Sequence, residues 1–169
     1  MQMKTEKLVR IALLGAVMNV AKWALSFLPN TELVSLLIVI YTLVFGREAF
    51  WMIVVFNLIE GLQWGFGFWW VSYMYTWPLL AAVVLIFKKL FQEEFLLWAV
   101  VSGVFGLCFG MFFAIAYIPV DLSYALTYWI HGLPWDIWHA VCNFILMLLL
   151  GKPLYKMLLR IRSGAFGES

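Results

Sequence analysis

Residues 33–66 read LVSLLIVIYTLVF, GRE, AFWMIVVFNLIEGLQWGF: two apolar runs separated by Gly46, Arg47 and Glu48. Outside that break, Glu60 is the only charged residue of the stretch. Long apolar runs with so little charge are typical of membrane helices, so we predict helices at 33–45 and 49–66. The first run is short for a bilayer, at about 1.5 Å of rise per residue, and either reaches half depth or extends through Glu32 or Arg47.

Four more apolar runs flank this pair, at 8–28, 70–87, 95–118 and 133–158, with a loop predicted at 119–132. Of the 169 residues, 66% are hydrophobic and 12% are charged, whereas about half of a soluble domain is apolar. The composition predicts an all-α integral membrane protein, with residues 1–169 forming a single bundle of about six transmembrane helices. Nothing in the charge pattern is typical of a nucleic-acid-binding protein.

The basic residues indicate an orientation. With the N-terminus in the cytoplasm, every Lys and Arg except Lys22 lies at the inner ends of the helices, and the outer loops hold none. The residues concerned are Lys4, Lys7, Arg10, Arg47, Lys88, Lys89, Lys152, Lys156, Arg160 and Arg162. The positive-inside rule then predicts a multi-pass protein of the cell membrane with both termini cytoplasmic, and a bacterial plasma membrane is the expected location.

Polar residues form a stripe on the third helix. Asn57, Glu60, Gln63 and Trp64 recur at spacings of three and four, which places them on one helical face. An interhelical seam normally uses one or two neutral polar groups, whereas Glu60 adds an acid. We therefore favour a ligand-facing surface over a seam.

The sixth helix carries a second polar group, formed by Trp135, Asp136, His139 and Asn143. We favour a cavity-facing role for His139 and Asn143. For Asp136 two interpretations stay open, a binding role and favourable placement in the first turn of a helix beginning near Pro134. Lys22, within the first helix, either extends to the outer interface, pairs with Glu60 or Asp136, or binds a substrate carboxylate.

Aromatic residues crowd the outer ends of the helices, and the chain contains ten Trp. Some form an interfacial belt. Their concentration beside the buried acids favours an aromatic-walled pocket for a flat, cationic ring, with Trp70, Tyr73 and Tyr128 among its walls. On the inner half of the first helix, Ala12, Gly15 and Ala16 provide a small-residue face for a partner helix, while Gly103, Gly106 and Gly110 are expected to pack inside the bundle.

The segment 131–144, HGLPWDIWHAVCNF, resembles the sixth helix of the substrate-binding S components of energy-coupling factor vitamin transporters. The six helices and the Ala12-x-x-x-Ala16 motif strengthen the resemblance. It implies a subunit that binds a vitamin from outside, docks through Ala12 and Ala16 on a transmembrane coupling subunit, and depends on two ABC-type ATPases. Because the chain contains no Walker motif, ATP hydrolysis is expected in those partners, and we expect neither enzymatic activity nor a cofactor.

The acids and aromatic rings suit thiamine, its pyrimidine precursor or a pyridoxine-like ring, while Lys22 leaves an acidic substrate open. Two other functions compete with transport. One is an intramembrane metal-dependent enzyme that uses His131, Asp136 and His139, with His131 expected in the outer loop. The other is a small channel or structural membrane subunit.

Overall fold

The computed structural model describes residues 5–165, and Lys4 of the basic set and the ends of the predicted domain lie outside that range. The all-helical prediction is confirmed for these residues, which contain no strand. The helices are α1 (Thr5–Ala24), α2 (Val34–Phe45), α3 (Ala49–Trp64), α4 (Phe68–Phe91), α5 (Phe95–Leu107), α6 (Phe109–Ile115) and α7 (Leu122–Ala165), with a short 3-10 turn at Gly46–Glu48 between α2 and α3.

Three helical stretches of the described chain are long and apolar enough to cross a membrane: Val34–Trp64, Phe68–Phe91 and Leu122–Gly164. A fourth is present if α5 and α6, which meet at a bend of 45°, form one span. Helix α1 is not among them, because Glu6, Lys7, Arg10 and Lys22 interrupt its apolar character. The structure thus provides three or four such helices where the sequence predicts about six crossings.

Side-chain pairs define the direction of each helix. Arg10 pairs with Glu48 and Lys22 pairs with Glu60, so α1 and α3 run parallel. Asn57, in the second half of α3, donates to the carbonyl of Tyr73, near the start of α4. The end of α3 thus lies beside the start of α4, and the two helices run antiparallel. Trp77 of α4 contacts Phe105 of α5, and Phe95 of α5 contacts Tyr155 of α7, so each of these pairs of helices runs antiparallel. Ser35 and Val44 of α2 contact Asn143 and Arg162 of α7 in the same order, so α2 and α7 run parallel. Helices α1, α3 and α5 therefore run one way, and α2, α4 and α7 run the other.

The stretch Val34–Trp64 consequently folds back on itself. Gly46 has φ of 61°, a conformation that glycine adopts without a Cβ penalty, and it separates α2 from α3. Lys22 lines one cavity together with Glu32, just before α2, and also pairs with Glu60 near the end of α3. The start of α2 and the end of α3 thus lie at the same end of the molecule.

The fifth predicted helix is broken. The run 95–118 forms α5 and α6, which are separated at Cys108, and the helical conformation ends at Ile115. Hydropathy does not reveal this break, because the residues on both sides of Cys108 are apolar. The first predicted helix is likewise shorter than expected at its outer end, with α1 ending at Ala24, whereas α4 extends to Phe91.

The predicted loop 119–132 is wrong for most of its length, because α7 begins at Leu122 and continues through Pro134 and Pro153. Gly132 and Pro134 suggested a helix boundary, but a helix can pass a proline when its other backbone groups keep partners. Asp121 provides the actual start: its Oδ1 accepts the N–H groups of Ser123 and Tyr124 at 2.6 and 3.0 Å. Such an Asp is a sequence signal for a helix start.

Glycines permit two close helix contacts. A Cβ on Gly15 would lie 2.7 Å from Val55 Cβ, so Gly15 packs against α3 and is not part of an outward docking face as predicted. Ala12 is exposed and Ala16 is partly exposed. Gly103 and Gly106 of α5 pack against Ala140 of α7, as predicted for packing inside the bundle.

The two ends of the helix assembly differ in charge. At one end, which we call the basic end, Lys7 and Arg10 both pair with Glu48 at 2.8 Å, and Arg162 donates to the carbonyl of Val44. Lys88 lies next to Gly46 at the same end. The opposite end, which we call the chamber end, holds Lys22 and the cavities described below.

Candidate functional site

Two adjoining cavities occupy the chamber end. The large chamber has a volume of about 780 Å³ and the small chamber about 300 Å³. Both are lined by Pro29, Asn30, Tyr73 and Phe109, so they lie side by side. The volume of each chamber is within the range of small-molecule binding sites, about 300 to 1,000 Å³.

One face of α7 forms a wall of the large chamber. The residues on this face follow helical spacings of three and four: Tyr124, Thr127, Tyr128, His131, Trp135 and Asp136. Several belong to the segment predicted as a loop, so the chamber wall is a helix rather than a flexible lid. Tyr124 and Thr127 were not predicted as site residues, and His131 was predicted only for the metal-enzyme alternative. All three would have followed from extending the helix back to Asp121.

Aromatic rings form the opposite wall. Tyr73 stacks on Phe56 at 5.9 Å and meets Trp69, Trp77 and Phe113 edge-on at 5.2 to 5.6 Å between ring centroids. Phe109 lies 4.6 Å from Phe113. Edge-on and tilted contacts of this kind hold each ring in one orientation, which gives the chamber rigid walls.

Aromatic residues also continue beyond the chamber wall, in the connection between α6 and α7. Tyr117 lies 5.3 Å from Tyr124 and 5.1 Å from Tyr128 between ring centroids. Burial, together with the neighbouring Tyr124, raises the pKa of Tyr117 above its ordinary value. The phenol therefore stays neutral and adds no charge to this end of the molecule.

Asp136 is the principal acid of the large chamber. Its side chain is 3% exposed, and Oδ1 accepts the backbone N–H of Gly110 at 2.9 Å, in the first turn of α6. Asp136 therefore does stabilise a helix start, but that of α6 rather than of its own helix. Its Oδ2 is buried and has no hydrogen-bond partner among residues 5–165. The carboxylate keeps one oxygen available for a ligand.

His139 and Glu32 form the polar side of the small chamber. His139 Nε2 lies 3.2 Å from Glu32 Oε1, and Glu32 also accepts the backbone N–H of Ser35 at the start of α2. His139 is 3% exposed, and within the described chain its Nδ1 has no hydrogen-bond partner. Glu32 was predicted only as a loop or helix-extension residue. Its proximity to His139 depends on the packing of α2 against α7.

Lys22 pairs with Glu60, one of the interpretations left open by the sequence. Its Nζ also lies 5.3 Å from the centroid of the Tyr73 ring, a cation–π distance. Glu60 is 1% exposed, and its Oε1 finds no hydrogen-bond partner in residues 5–165. Both side chains line a recess of about 220 Å³ together with Trp64, which is itself 63% exposed.

Several predicted site residues do not line the chambers. Asn57 joins α3 to α4 by donating to the carbonyl of Tyr73 at 3.2 Å, and Trp70 Nε1 donates to the carbonyl of Asn57 at 2.8 Å. Asn143 donates to Ser35 Oγ at 3.2 Å, which joins α7 to α2. Gln63 is exposed. Both asparagines thus act in helix seams, the interpretation that we did not favour.

The segment 25–33 lies against the outer part of α7 and lines both chambers. Asn30 donates to the carbonyl of Trp135 at 3.3 Å, and Trp138 donates to Thr31 Oγ1 at 3.3 Å. Asn30 has φ of 49°, a left-handed conformation that asparagine tolerates better than most residues. This connection therefore covers part of the site.

The histidines and Asp136 do not converge. His131 Nδ1 lies 2.9 Å from the carbonyl of Thr127, Asp136 contacts Gly110, and His139 faces Glu32. In the part of the chain that the structure describes, no three His, Cys, Asp or Glu side chains are grouped so as to hold a metal ion. His131, Asp136 and His139 are therefore not arranged as a metal-ligand set.

The charges around the site are unequal. Three carboxylates, those of Glu32, Glu60 and Asp136, line the cavities, whereas Lys22 is the only Lys or Arg among their described lining residues. By side-chain type, the site therefore holds three acids and one lysine. Such a site favours a cationic or amine-bearing ligand over an acidic one.

Comparison of the chain with protein-family models, with curated proteins and with solved structures gives no match.

Proposed function

We propose that this chain is a multi-pass protein of the bacterial plasma membrane that captures a vitamin or vitamin precursor, as an S component of an energy-coupling factor importer. The observation that carries the proposal is the pair of chambers with aromatic walls and excess acid at the end opposite the basic residues. A binding subunit needs such a site on its outer side, and it needs no catalytic constellation.

The alternating helix directions support six crossings with both termini in the cytoplasm. Lys7, Arg10, Arg47, Lys88 and Arg162 then face the cytoplasm, as the positive-inside rule requires, and the chambers open outward. Helix α1 crosses with the help of its partners, since Arg10 and Lys22 are both paired with acids of α3 or the adjoining turn. Helix α2, about 18 Å long, is the shortest of the six crossing segments.

The substrate class that fits is a flat, amine-bearing ring, such as thiamine, its pyrimidine precursor or a pyridoxine-like compound. An amine can donate to Asp136 Oδ2, which otherwise stays buried without a partner in the described chain. Lys22 is paired with Glu60, so it is less suited to bind a substrate carboxylate. An acidic substrate, which the sequence left open, is therefore less favoured. The aromatic rings of Tyr73, Phe109 and Phe113 provide surfaces for stacking.

The partners in this proposal are a transmembrane coupling subunit and two ABC-type ATPases. Ala12 and Ala16 lie on the outward side of α1, where small side chains permit another helix to approach closely. Gly15 does not contribute to this face, because it packs against α3.

The first test is mass spectrometry of small molecules released by denaturing the detergent-purified protein, followed by calorimetric titration of the molecule found. One organic molecule per chain is the expected result. Absence of any organic ligand, combined with one metal ion per chain, would favour the metal-enzyme alternative. Absence of both would favour a structural or channel subunit.

Replacing Ala16 by tryptophan is expected to abolish uptake of the released vitamin into cells while leaving its affinity for the purified subunit unchanged. The indole would separate α1 from the coupling subunit, and Ala16 does not line any of the cavities described above. Ile86→Trp is the matched control, because Ile86 is 71% exposed and belongs to a different helix, α4. Normal uptake by Ala16→Trp would show that the docking face lies elsewhere.

A further inference from the structure

Two unpartnered polar atoms lie beside the small chamber. Trp77 is 1% exposed and His139 is 3% exposed, and both line this chamber. Within residues 5–165, neither Trp77 Nε1 nor His139 Nδ1 has a hydrogen-bond partner. A buried polar atom without a partner is unfavourable, so a ligand that supplies both missing hydrogen bonds would be stabilised in this cavity.

The chemistry of the two atoms restricts the ligand group. An indole nitrogen can only donate a hydrogen bond. In His139, Nε2 faces the carboxylate of Glu32, which accepts, so a neutral ring carries its proton on Nε2 and leaves Nδ1 as an acceptor. One site therefore offers a donor and an acceptor. A hydroxyl group matches both, because it accepts through a lone pair and donates through its proton.

The positions of the two rings are compatible with a shared partner. Phe109 lies 4.8 Å from the His139 ring and 5.3 Å from the Trp77 ring, measured between centroids. Phe109 also borders the large chamber, where Asp136 lies. A ligand that passes Phe109 can therefore place one group beside Asp136 and another in the small chamber, which Trp77 and His139 line.

We propose that the small chamber is a hydroxyl subsite, so that the substrate is an amine-bearing ring with a hydroxylated substituent. The ring occupies the large chamber beside Asp136, and the hydroxyl bridges Trp77 Nε1 and His139 Nδ1. This inference rests on the proposed capture function and specifies its substrate. It distinguishes a ring alcohol from a ring that carries only methyl groups.

The test uses isothermal titration calorimetry with two probes, 4-amino-5-hydroxymethyl-2-methylpyrimidine and its deoxy analogue 4-amino-2,5-dimethylpyrimidine. The wild-type protein is expected to bind the alcohol at least tenfold more tightly than the deoxy probe. Trp77→Phe keeps an aromatic ring but removes the N–H, so it should lower affinity for the alcohol about tenfold more than it lowers affinity for the deoxy probe. Trp98→Phe, which removes another buried indole N–H far from the chambers, is the control and should change neither affinity.

Equal affinity of the wild-type protein for the two probes would overturn the hydroxyl subsite while the capture function stands. The subsite is also overturned if Trp77→Phe weakens both probes alike, since that would indicate a packing role. Failure of both probes to bind would overturn this substrate class. Mass spectrometry of the native protein then tests the capture function separately. Release of a different molecule would support capture, and release of no molecule would overturn it.

Discussion

Asp136→Asn is expected to weaken binding of the aminopyrimidine alcohol about 10- to 100-fold, because a charge-assisted hydrogen bond becomes a neutral one. Asparagine retains an oxygen that can accept the N–H of Gly110, so the start of α6 should keep its partner. The fold should therefore survive, with a thermal unfolding midpoint close to that of the wild-type protein. Calorimetric titration and thermal unfolding of the same preparation measure both effects.

Asp121→Asn is the matched control for this prediction. Asp121 lies on the same side of the molecule and accepts backbone N–H groups at the start of α7, but it is exposed and does not line either chamber. Its replacement should leave affinity unchanged. If Asp136→Asn binds the probe as the wild-type protein does, the carboxylate acts only on α6, and the acid that attracts the ligand is a different one.

Gly106→Ala is expected to lower the thermal unfolding midpoint by about 5 °C, corresponding to about 2 kcal/mol for a chain of this size. The added Cβ would lie 2.9 Å from the backbone nitrogen of Ala140 and 3.0 Å from its Cα. Backbone atoms within a helix cannot move aside as a flexible side chain can, so α5 and α7 must separate. Because Asp136 and His139 lie on α7, ligand affinity should fall as well.

Gly103→Ala provides the comparison on the same helix. There the added Cβ would lie 3.4 Å from the Ala140 oxygen and from Phe144 Cβ, close to ordinary contact distance. Alanine also favours a helix over glycine by about 1 kcal/mol, so this variant should be as stable as the wild-type protein or slightly more so. Equal stability of the two alanine variants would mean that the α5–α7 contact is looser than described.

The residues that could be predicted from sequence share one property: a single helix places them. The spacing of Asp136 and His139 puts both on the chamber side of α7, and Glu60 lies buried on the stripe predicted for α3. Asn57 and Asn143 belong to the same stripes but pair with neighbouring helices instead. Periodicity identifies the inward face of a helix, and it does not distinguish a cavity from a seam on that face.

Composition and periodicity were sufficient to predict that residues 5–165 are apolar and helical. The basic residues Lys7, Arg10, Lys88 and Arg162 lie at the end opposite Glu60 and Asp136. Tertiary packing decided the pairing of Lys22 with Glu60, the contact of Glu32 with His139 and the inward position of Gly15. It also decided the bend at Cys108 and the continuation of α7 through Pro134. Composition and spacing act within one helix. Ion pairs, close contacts and tolerated prolines depend instead on the register between helices that are distant in sequence.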